Sequence, residues 1–298
     1  MLDSFNAPEP KIGIVTVTYN SASCIEDFLR CTLNQSFKNY LLIIVDNNSK
    51  DNTVALISEY TDRRIHLIQN NENLGVARGN NIGSEFAISE LCDHVMLLNN
   101  DTEFKETLLA DLLAAMEEFG VSVVVPKIHY FEPKNLIWYA GGNFKPIRGW
   151  YVDHYGFNQI DSGQFDTIRT VKYAPTCCML IRTSIFSLIG MMDEKYFVYH
   201  DDSDFCFRLL RQNADILYCP KVTLIHKVSS LTGGSKTNFS IYYMGRNAMY
   251  FAKKNLGLYF FAALIIEQIL IVIKTLVFKE RFSVFKLRQK AFFDGIRL

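Results

Sequence analysis

The feature that most constrains the fold of this chain is a regular alternation of short apolar runs and helical segments over its first 125 residues. Apolar runs rich in β-branched residues occupy Ile12 to Val17 and Leu41 to Val45, as is typical of strands buried on both faces of a parallel sheet. Between them, Ile25, Phe28 and Leu29 recur at helical spacing. Further helices are predicted near 51–60 and 77–90, and further strands at 65–68, 94–98 and 121–125. This alternation predicts a Rossmann-like, mostly parallel sheet flanked by helices, with right-handed crossovers.

The second half of the chain is less regular. Glycine, proline and aromatic residues are dense between residues 130 and 155. After that stretch the pattern predicts a strand at 178–182, a helix near 202–212 and two strands at 216–218 and 222–226. From about residue 240 onward the chain has helical character. We therefore expect a core domain over residues 1–235 and a helical tail over residues 236–298.

Composition narrows the class of protein. With 298 residues, 49% of them hydrophobic, the chain can bury a core large enough for one α/β domain with an appendage. Its 31 basic and 31 acidic residues balance, and without a basic surplus we expect no nucleic-acid partner. The seven cysteines form no CxxC pair, which favours buried thiols in a reducing compartment. The first eleven residues lack the basic and apolar segments of a secretory signal, so we expect a cytoplasmic protein.

Polar residues follow four successive predicted strands. They are Thr18, Tyr19 and Asn20; Asp46, Asn47, Asn48 and Ser49; Asn70, Asn71 and Asn73; and Asn99, Asn100 and Asp101. Ligands of open α/β sheets bind outside the carboxyl ends of the strands. Asn and Asp also favour turns, so Asp46 taken alone fits an Asx-turn or helix cap better than a group that binds a base or a ribose. Four such ends on one rim nevertheless predict a binding cleft.

The predicted helix near 77–90 carries Gly75, Gly79 and Gly83 at a spacing of four residues. This spacing is not the GxGxxG fingerprint of dinucleotide-binding proteins. Small residues at this spacing line one face of a helix and allow close packing on the sheet. In a second interpretation Arg78 and Asn80, near the helix start, face a nucleotide. The sequence leaves both interpretations open.

Acidic residues and one histidine are the candidates for metal binding and catalysis. Asp101 follows an apolar strand, where a carboxylate suits Mg²⁺ or Mn²⁺ that also binds a diphosphate. Asp201, Asp202 and Asp204 crowd the start of a predicted helix. The helix macrodipole explains one or two of these acids, whereas crowding raises carboxylate pKa values and suits a general base. His226 ends a predicted strand, which makes it a candidate ligand of a metal or a phosphate.

Eight segments match, in order, the motifs of one enzyme family. They are Val17–Ser21, Val45–Ser49, Asn73–Asn81, Leu97–Thr102, Ala140–Gly142, Met192–Asp204, His226–Ser230 and Tyr242–Asn247. Together they extend over roughly residues 12–250. The chain resembles the family 2 glycosyltransferases with the GT-A fold, particularly their bacterial rhamnosyltransferase-like branch. Single motifs of this kind are weak, whereas eight in register are specific.

The resemblance implies a role for each matching residue. Asp101 matches the metal-binding end of a DxD-like motif for Mn²⁺ or Mg²⁺, and His226 matches a second ligand of the metal or the diphosphate. Asp202 matches the base that activates the acceptor, with Asp201 as its neighbour. With the strand-end and helix-start residues included, the predicted nucleotide site consists of Thr18, Tyr19, Asn20, Asp46, Asn48, Asn73, Arg78, Asn80, Asn99 and Asn100. The predicted acceptor site consists of Trp138, Gly141, Gly142 and His200.

Four residues depart from the family pattern. Asn99 stands where many members have Asp, Asp201 replaces the usual Glu, His200 replaces an aromatic residue, and Thr176 replaces a common Gly. The resemblance implies an inverting transfer of a sugar from a nucleoside diphosphate to a hydroxyl of a glycan or lipid-linked acceptor. The branch favours dTDP-rhamnose as donor, with a UDP-hexose as the other candidate. The alternative outside enzymology is a non-catalytic protein that binds sugar nucleotides or serves as a scaffold.

The tail contains one long apolar segment, Leu256 to Phe278. Its length allows a membrane span, but the acidic Glu267 in the middle is costly there. Glu267, Lys274 and Arg281 are spaced by seven and form a narrow polar stripe. Such a stripe fits a helix in the membrane interface, or a helix buried in a homo-oligomer, better than a span. Basic residues at 286, 288 and 290 favour anionic headgroups, so we expect peripheral attachment to the inner face of the cell membrane.

Overall fold

The computed structural model describes residues 9–146, 151–227, 237–277 and 281–298. Its strands are β1 (Ile12–Thr18), β2 (Tyr40–Asp46), β3 (Ile65–Gln69), β4 (His94–Leu98), β5 (Thr102–Phe104), β6 (Val123–Tyr130), β7 (Ile137–Tyr139), β8 (Gly142–Lys145), β9 (Tyr151–His154), β10 (Arg169–Val171), β11 (Cys178–Arg182) and β12 (Ile216–His226). Its α-helices are α1 (Ile25–Leu33), α2 (Thr53–Ser58), α3 (Gly75–Ser89), α4 (Leu108–Phe119), α5 (Ser184–Ile189), α6 (Asp201–Arg211), α7 (Asn238–Asn255), α8 (Tyr259–Val277) and α9 (Phe282–Arg297). A short 3₁₀ helix, Glu194–Tyr196, precedes α6.

One large sheet forms the centre of the molecule, in the order β10-β12-β6-β11-β4-β1-β2-β3, with β5 and β7 on its periphery. The pairs β1–β2, β2–β3, β1–β4 and β6–β12 are parallel. Strand β11 is antiparallel to both of its neighbours, β4 and β6. The α/β class is therefore confirmed, with a mixed sheet. Because β4 and β6 both run opposite to β11, they run in the same direction as each other. The carboxyl ends of six strands therefore lie at one rim of the sheet: β1, β2, β3, β4, β6 and β12.

Helix α3 lies against β1 because its glycines leave room for the strand. A Cβ atom on Gly79 would lie 2.8 Å from the side chain of Val17, and one on Gly83 would lie 2.3 Å from that of Val15. Both distances are shorter than carbon atoms tolerate, so any larger residue would push the helix off the sheet. The prediction that this glycine face packs on the sheet is confirmed.

The irregular middle of the chain folds into short strands that periodicity does not reveal. Strands β8 and β9 form a separate antiparallel hairpin, and β7 pairs with the edge of β6. The two strands expected at 216–218 and 222–226 are one strand, β12, whose register shifts between Cys219 and Thr223. Pro220 lies in this shift, and without an N–H it cannot continue the ladder. All seven cysteines are free and six of them are buried, as expected for structural thiols.

The helical tail is packed onto the domain that contains the central sheet. Tyr250, Phe251 and Leu256 belong to the same hydrophobic cluster as the central strands. Helix α9 crosses α7 closely at Gly295, where a Cβ atom would lie 2.1 Å from the carbonyl oxygen of Arg246. The expected domain boundary at 235 falls outside the described residues and stays a prediction.

His94, the first residue of β4, is a buried histidine at the edge of the sheet opposite the rim. It is 2% exposed, and neither of its ring nitrogens has a hydrogen-bond partner among the residues that the structure describes. Burial, reinforced by the nearby Arg182, lowers the pKa of His94 below its usual value. The folded protein therefore binds this proton less readily than the unfolded chain does.

This burial predicts acid sensitivity of the fold. Below about pH 6.5 the unfolded chain takes up a proton on this residue that the folded protein does not. The free energy of unfolding should therefore decrease as the pH is lowered. His94→Leu should unfold with a similar or higher free energy at pH 7.5, because a buried unpaired polar group costs about 1–3 kcal/mol. It should also lose less stability than the wild type between pH 7 and 5. Urea titrations of both proteins measure this, and parallel pH curves would contradict the prediction.

Candidate active site

The loops after β1 and β2 meet at a buried carboxylate. Asp46, 2% exposed, accepts hydrogen bonds from the hydroxyl of Thr18 (2.9 Å), the hydroxyl of Ser49 (2.5 Å) and the backbone N–H of Ser49 (2.9 Å). The last contact is the turn geometry that the sequence allowed. Asp46 thus connects the loops that follow β1 and β2. The contact of Asp46 and Thr18 with a nucleotide stays a prediction.

Asparagine side chains connect the neighbouring loops. Asn20 and Asn48 adopt left-handed backbone conformations, with φ of +53° and +64°, which Asn tolerates better than most residues. Asn48 donates to the carbonyl oxygen of Asn71 (2.7 Å), and the oxygen of Asn73 accepts from the N–H of Gly75 (2.9 Å). Most of their polar groups are therefore used in holding the loops. The side chain of Tyr19 stays open to solvent at the same rim, 43% exposed.

Arg78 and Asn80 both contact the segment before α6. Arg78 pairs with Glu194 at 2.7 Å, and the amide of Asn80 lies 3.7 Å from the sulfur of Met192. Both side chains thus connect α3 to the segment that leads to α6. Their role in nucleotide binding stays a prediction.

The end of β4 is fixed by buried hydrogen bonds. Asn100, 2% exposed, donates to the carbonyl oxygen of Val17 (2.7 Å) and accepts from the thiol of Cys24 (3.5 Å). The carbonyl oxygen of Asn99 accepts from the hydroxyl of Thr102 at 2.6 Å. These contacts give the following residue, Asp101, a defined position at the rim.

Asp101 and His226, the two predicted metal ligands, lie next to each other. The Nε2 atom of His226 lies 3.2 Å from a carboxylate oxygen of Asp101, and both side chains are almost completely buried. Burial by itself lowers the pKa of His226, but Cys177 and the hydrogen bond to Asp101 outweigh it and raise the pKa to about 10. The described residues contain no group of three or more His, Cys, Asp or Glu side chains that could hold a metal. Two ligands suit Mg²⁺ or Mn²⁺, whose coordination shells substrate phosphates complete.

The paired acids at the start of α6 have different surroundings. Asp201 is 5% exposed, and burial together with the charge of Asp202 raises its pKa. Asp202 accepts a hydrogen bond from the hydroxyl of Tyr173 (2.7 Å) and one from the N–H of Ser203 (2.6 Å). Asp201 therefore keeps its proton more readily than a free carboxyl group does. Asp202 is the less buried of the two.

A continuous row of side chains joins the metal pair to these acids. The ring of Trp138 lies 4.7 Å from that of His226 and 5.2 Å from that of His154, measured between centroids. His154 stacks on Tyr173 at 5.4 Å, and Tyr173 donates to Asp202. The candidate metal site and the candidate base are therefore linked by a continuous row of side-chain contacts.

Tyr173 and His154 are missing from the sequence prediction. Both lie in the irregular region between β6 and β11, where no periodicity marks them. The two predicted acceptor glycines lie beside them. Gly141 has φ of +99°, and a Cβ atom on Gly142 would lie 2.8 Å from the ring of Tyr173. The glycines thus allow the close approach of Tyr173, and their contact with an acceptor stays a prediction.

His200, the fourth predicted acceptor residue, lies between the start of α6 and helix α7 of the tail. It precedes α6, and its ring centroid is 6.3 Å from that of Phe251 in α7. Burial lowers its pKa. A small crevice beside it is lined by Tyr151 of β9 and Glu267 of α8, which are joined by a hydrogen bond of 2.7 Å.

Sequence comparison finds relatives among enzymes of glycan synthesis. The chain is 26% identical to the low-salt glycan biosynthesis hexosyltransferase Agl10 of Haloferax volcanii, over 79% of this chain and 73% of that protein. It is 22% identical to the dTDP-rhamnosyl transferase RfbF of Shigella flexneri, over 82% and 80%. It is 23% identical to the N-acetylglucosaminyl-diphospho-decaprenol L-rhamnosyltransferase of Mycobacterium tuberculosis, over 74% and 78%.

Solved structures share the fold. GalNAc-T7, crystallised with UDP, GalNAc and Mn²⁺, superposes with a TM-score of 0.60 at 14% identity, over 73% of this chain and 43% of that one. TarS of S. aureus superposes with a TM-score of 0.59 at 16% identity, over 82% and 40%. This chain thus spans less than half of either structure. Residues 13–190, more than half of the chain, match the family model described as Glycosyl transferase family 2. The resemblance in the sequence motifs is confirmed, and the chain belongs to glycosyltransferase family 2.

Proposed function

We propose that this glycosyltransferase moves a sugar, with inversion, from a nucleoside diphosphate to a hydroxyl of a glycan or lipid-linked acceptor in the synthesis of a cell-surface polysaccharide. The observation that carries the proposal is the row of side-chain contacts that runs from the Asp101–His226 pair through Trp138, His154 and Tyr173 to Asp202. The name of RfbF supports dTDP-rhamnose as donor, and the UDP in the GalNAc-T7 structure keeps a UDP-hexose as the other candidate.

Asp101 and His226 would hold the divalent cation. Bound there with the donor diphosphate, Mn²⁺ or Mg²⁺ supplies positive charge to the departing nucleoside diphosphate. A cation bound there would have to displace the proton of His226, and it would then take the place of that proton beside the carboxylate of Asp101. The Mn²⁺ in the GalNAc-T7 structure supports the same choice of ion.

Asp202 takes the proton of the acceptor hydroxyl as that oxygen attacks the anomeric carbon from the face opposite the diphosphate. The new bond forms as the bond to the diphosphate breaks, so one displacement inverts the configuration. Asp201 helps by keeping its own proton, because a second negative charge beside Asp202 is unfavourable in a buried site. Tyr173 orients the carboxylate of Asp202 through its hydroxyl.

Replacing the base tests this mechanism. Asp202→Asn keeps the shape and the hydrogen bond from Ser203 but cannot accept the proton, so transfer should slow by roughly 10²–10⁴-fold. Donor binding should be unchanged. The matched control is Asp215→Asn, an exposed acid just before β12, at the end opposite the rim. Transfer to a hydroxyl acceptor is measured for both, and near-wild-type turnover of folded Asp202→Asn would refute the assignment.

Replacing the metal ligand tests the other end of the cleft. A panel of dTDP- and UDP-sugars with Mn²⁺ should raise the melting temperature of the wild type for one donor. Asp101→Asn removes the negative charge with little change in volume, and it should abolish this Mn²⁺-dependent shift. The Asp215→Asn protein should keep it. Stabilisation by a donor that does not depend on Mn²⁺, or that survives in Asp101→Asn, would contradict the metal site.

We further propose that the tail attaches the enzyme to a membrane surface. Among the described residues one helix, α8, is long and apolar enough to cross a membrane, and 17% of its apolar window is buried in the protein. Phe261, Ile265 and Ile269 follow one another at one-turn spacing and are 52–64% exposed. Glu267 faces the other way, is 6% exposed and bonds to Tyr151. One protein-bound side and one exposed apolar side support a helix that lies in the interface.

Vesicle binding tests this attachment. The triple variant Phe261→Ser, Ile265→Ser, Ile269→Ser removes apolar area from the exposed side, and affinity for phosphatidylglycerol-containing vesicles should fall by roughly 100-fold or more. Leu188→Ser, which changes an exposed leucine of α5, is the matched control. Co-sedimentation measures binding. A wild type that ignores vesicles, but forms an oligomer that the triple variant loses, would replace this proposal with a protein interface.

A further inference from the structure

The five residues before α6 form a strained loop, here named the 196–200 loop. Phe197 has φ of 64° and ψ of −59°, and the N–H of Val198 donates to the carbonyl oxygen of Tyr196 at 2.7 Å, which together make a tight three-residue turn. Tyr199 and His200 also have positive φ, 64° and 65°. Side chains with a Cβ atom rarely adopt this conformation, so the loop needs support from its surroundings.

Asn247 of α7 supplies that support from one side. It is 0% exposed, and its amide nitrogen lies 2.8, 2.7 and 2.8 Å from the carbonyl oxygens of Tyr196, Val198 and Tyr199. The amide oxygen accepts from Nε of Arg246 at 2.8 Å, which fixes the orientation of the amide. A side chain of this size must donate two N–H groups to satisfy these carbonyls, and Asn alone does so.

Arg246 itself adds to the same contact. Its Nη2 donates to the carbonyl oxygens of Lys195 and Tyr196, at 2.7 and 2.8 Å. Two neighbouring residues of α7 thus bind the backbone of the segment that leads into the catalytic helix. The hydrogen bonds from Arg246 and Asn247 to this segment all end on backbone carbonyl oxygens.

The start of α3 also binds the 196–200 loop. The N–H of Val76 donates to the carbonyl oxygen of Phe197 at 2.6 Å. A Cβ atom on Gly75 would lie 2.4 Å from that oxygen, so the start of α3 has to be a glycine to come this close. The 196–200 loop is therefore held between α3, which follows the predicted nucleotide residue Asn73, and α7.

We propose that Asn247 is a positioning residue for the base. It holds the 196–200 loop in its strained form, and that form sets where α6 begins and hence where Asp202 meets Tyr173 and the acceptor. This proposal rests on the proposed function, because it assumes that Asp202 is the base. Asn247 touches no reacting atom; it acts on the rate through the backbone.

The test compares turnover with donor binding. Asn247→Asp keeps the shape but puts acceptor oxygens against three carbonyl oxygens, so the loop should shift and kcat should fall by roughly 10–100-fold, the loss that a displacement of about 1 Å causes. The KM for the donor should stay within about twofold of wild type. Asn238→Asp, an exposed asparagine on the same helix, is the matched control. Rates are divided by the number of donor-binding sites measured in each preparation.

This division separates positioning from folding. A purely structural role would lower the number of donor-binding sites and leave kcat per site unchanged, which would overturn the proposal. A raised donor KM with unchanged kcat would also overturn it. If Asn247→Asp does not fold, Arg246→Met decides: it keeps the stem and removes the guanidinium contacts, and kcat per site should again fall.

Asp202→Asn, measured in parallel, separates this proposal from the proposed function. If Asp202→Asn transfers sugar at the wild-type rate, the assignment of the base fails. If Asp202→Asn is nearly inactive while the Asn247 and Arg246 variants keep the wild-type kcat per site, the positioning role alone fails.

Discussion

The buried carboxylate of Asp204 connects α6 to the helical tail. It is 0% exposed, and it pairs with Arg208 of its own helix and with Lys254 of α7, each at 2.8 Å. The amide of Asn255 donates to it at 3.0 Å. A buried charge is tolerated only when it is paired and hydrogen-bonded, and removal of one partner typically costs about 3–5 kcal/mol. The position of α6, and with it the candidate base, therefore depends on α7.

The three acids at the start of α6 illustrate how one short motif divides its work. Asp204 is neutralised by two cations and serves the fold. Burial favours the protonated form of Asp201. Asp202 is partly exposed and accepts a hydrogen bond from the hydroxyl of Tyr173. Three carboxyl groups within four residues of sequence thus have different surroundings, although the charge of Asp202 still raises the pKa of Asp201.

Parts of the fold and the site follow from the sequence because they depend on local pattern. Parallel strands end at one rim, so polar residues after apolar runs were bound to meet, and Asp101 does lie 3.2 Å from His226. The row from Trp138 to Tyr173 could not be predicted, because side chains from an irregular region meet there through long-range packing. The strain of the 196–200 loop was equally hidden. Glycine or asparagine in a sequence usually indicates a residue with positive φ, but here Phe197, Tyr199 and His200 have positive φ.

The helical tail contacts both the β8–β9 hairpin and the 196–200 loop. Its apolar helix α8 presents exposed side chains on one side, while Glu267 on the other side bonds to Tyr151 of the β8–β9 hairpin. Helix α7, directly before it in the chain, contacts the 196–200 loop through Asn247. Helices α7 and α8 contact each other, so the helix proposed to bind a membrane is linked to the 196–200 loop through packed elements. In the proposed function, membrane attachment and the position of the base would therefore depend on one set of helices.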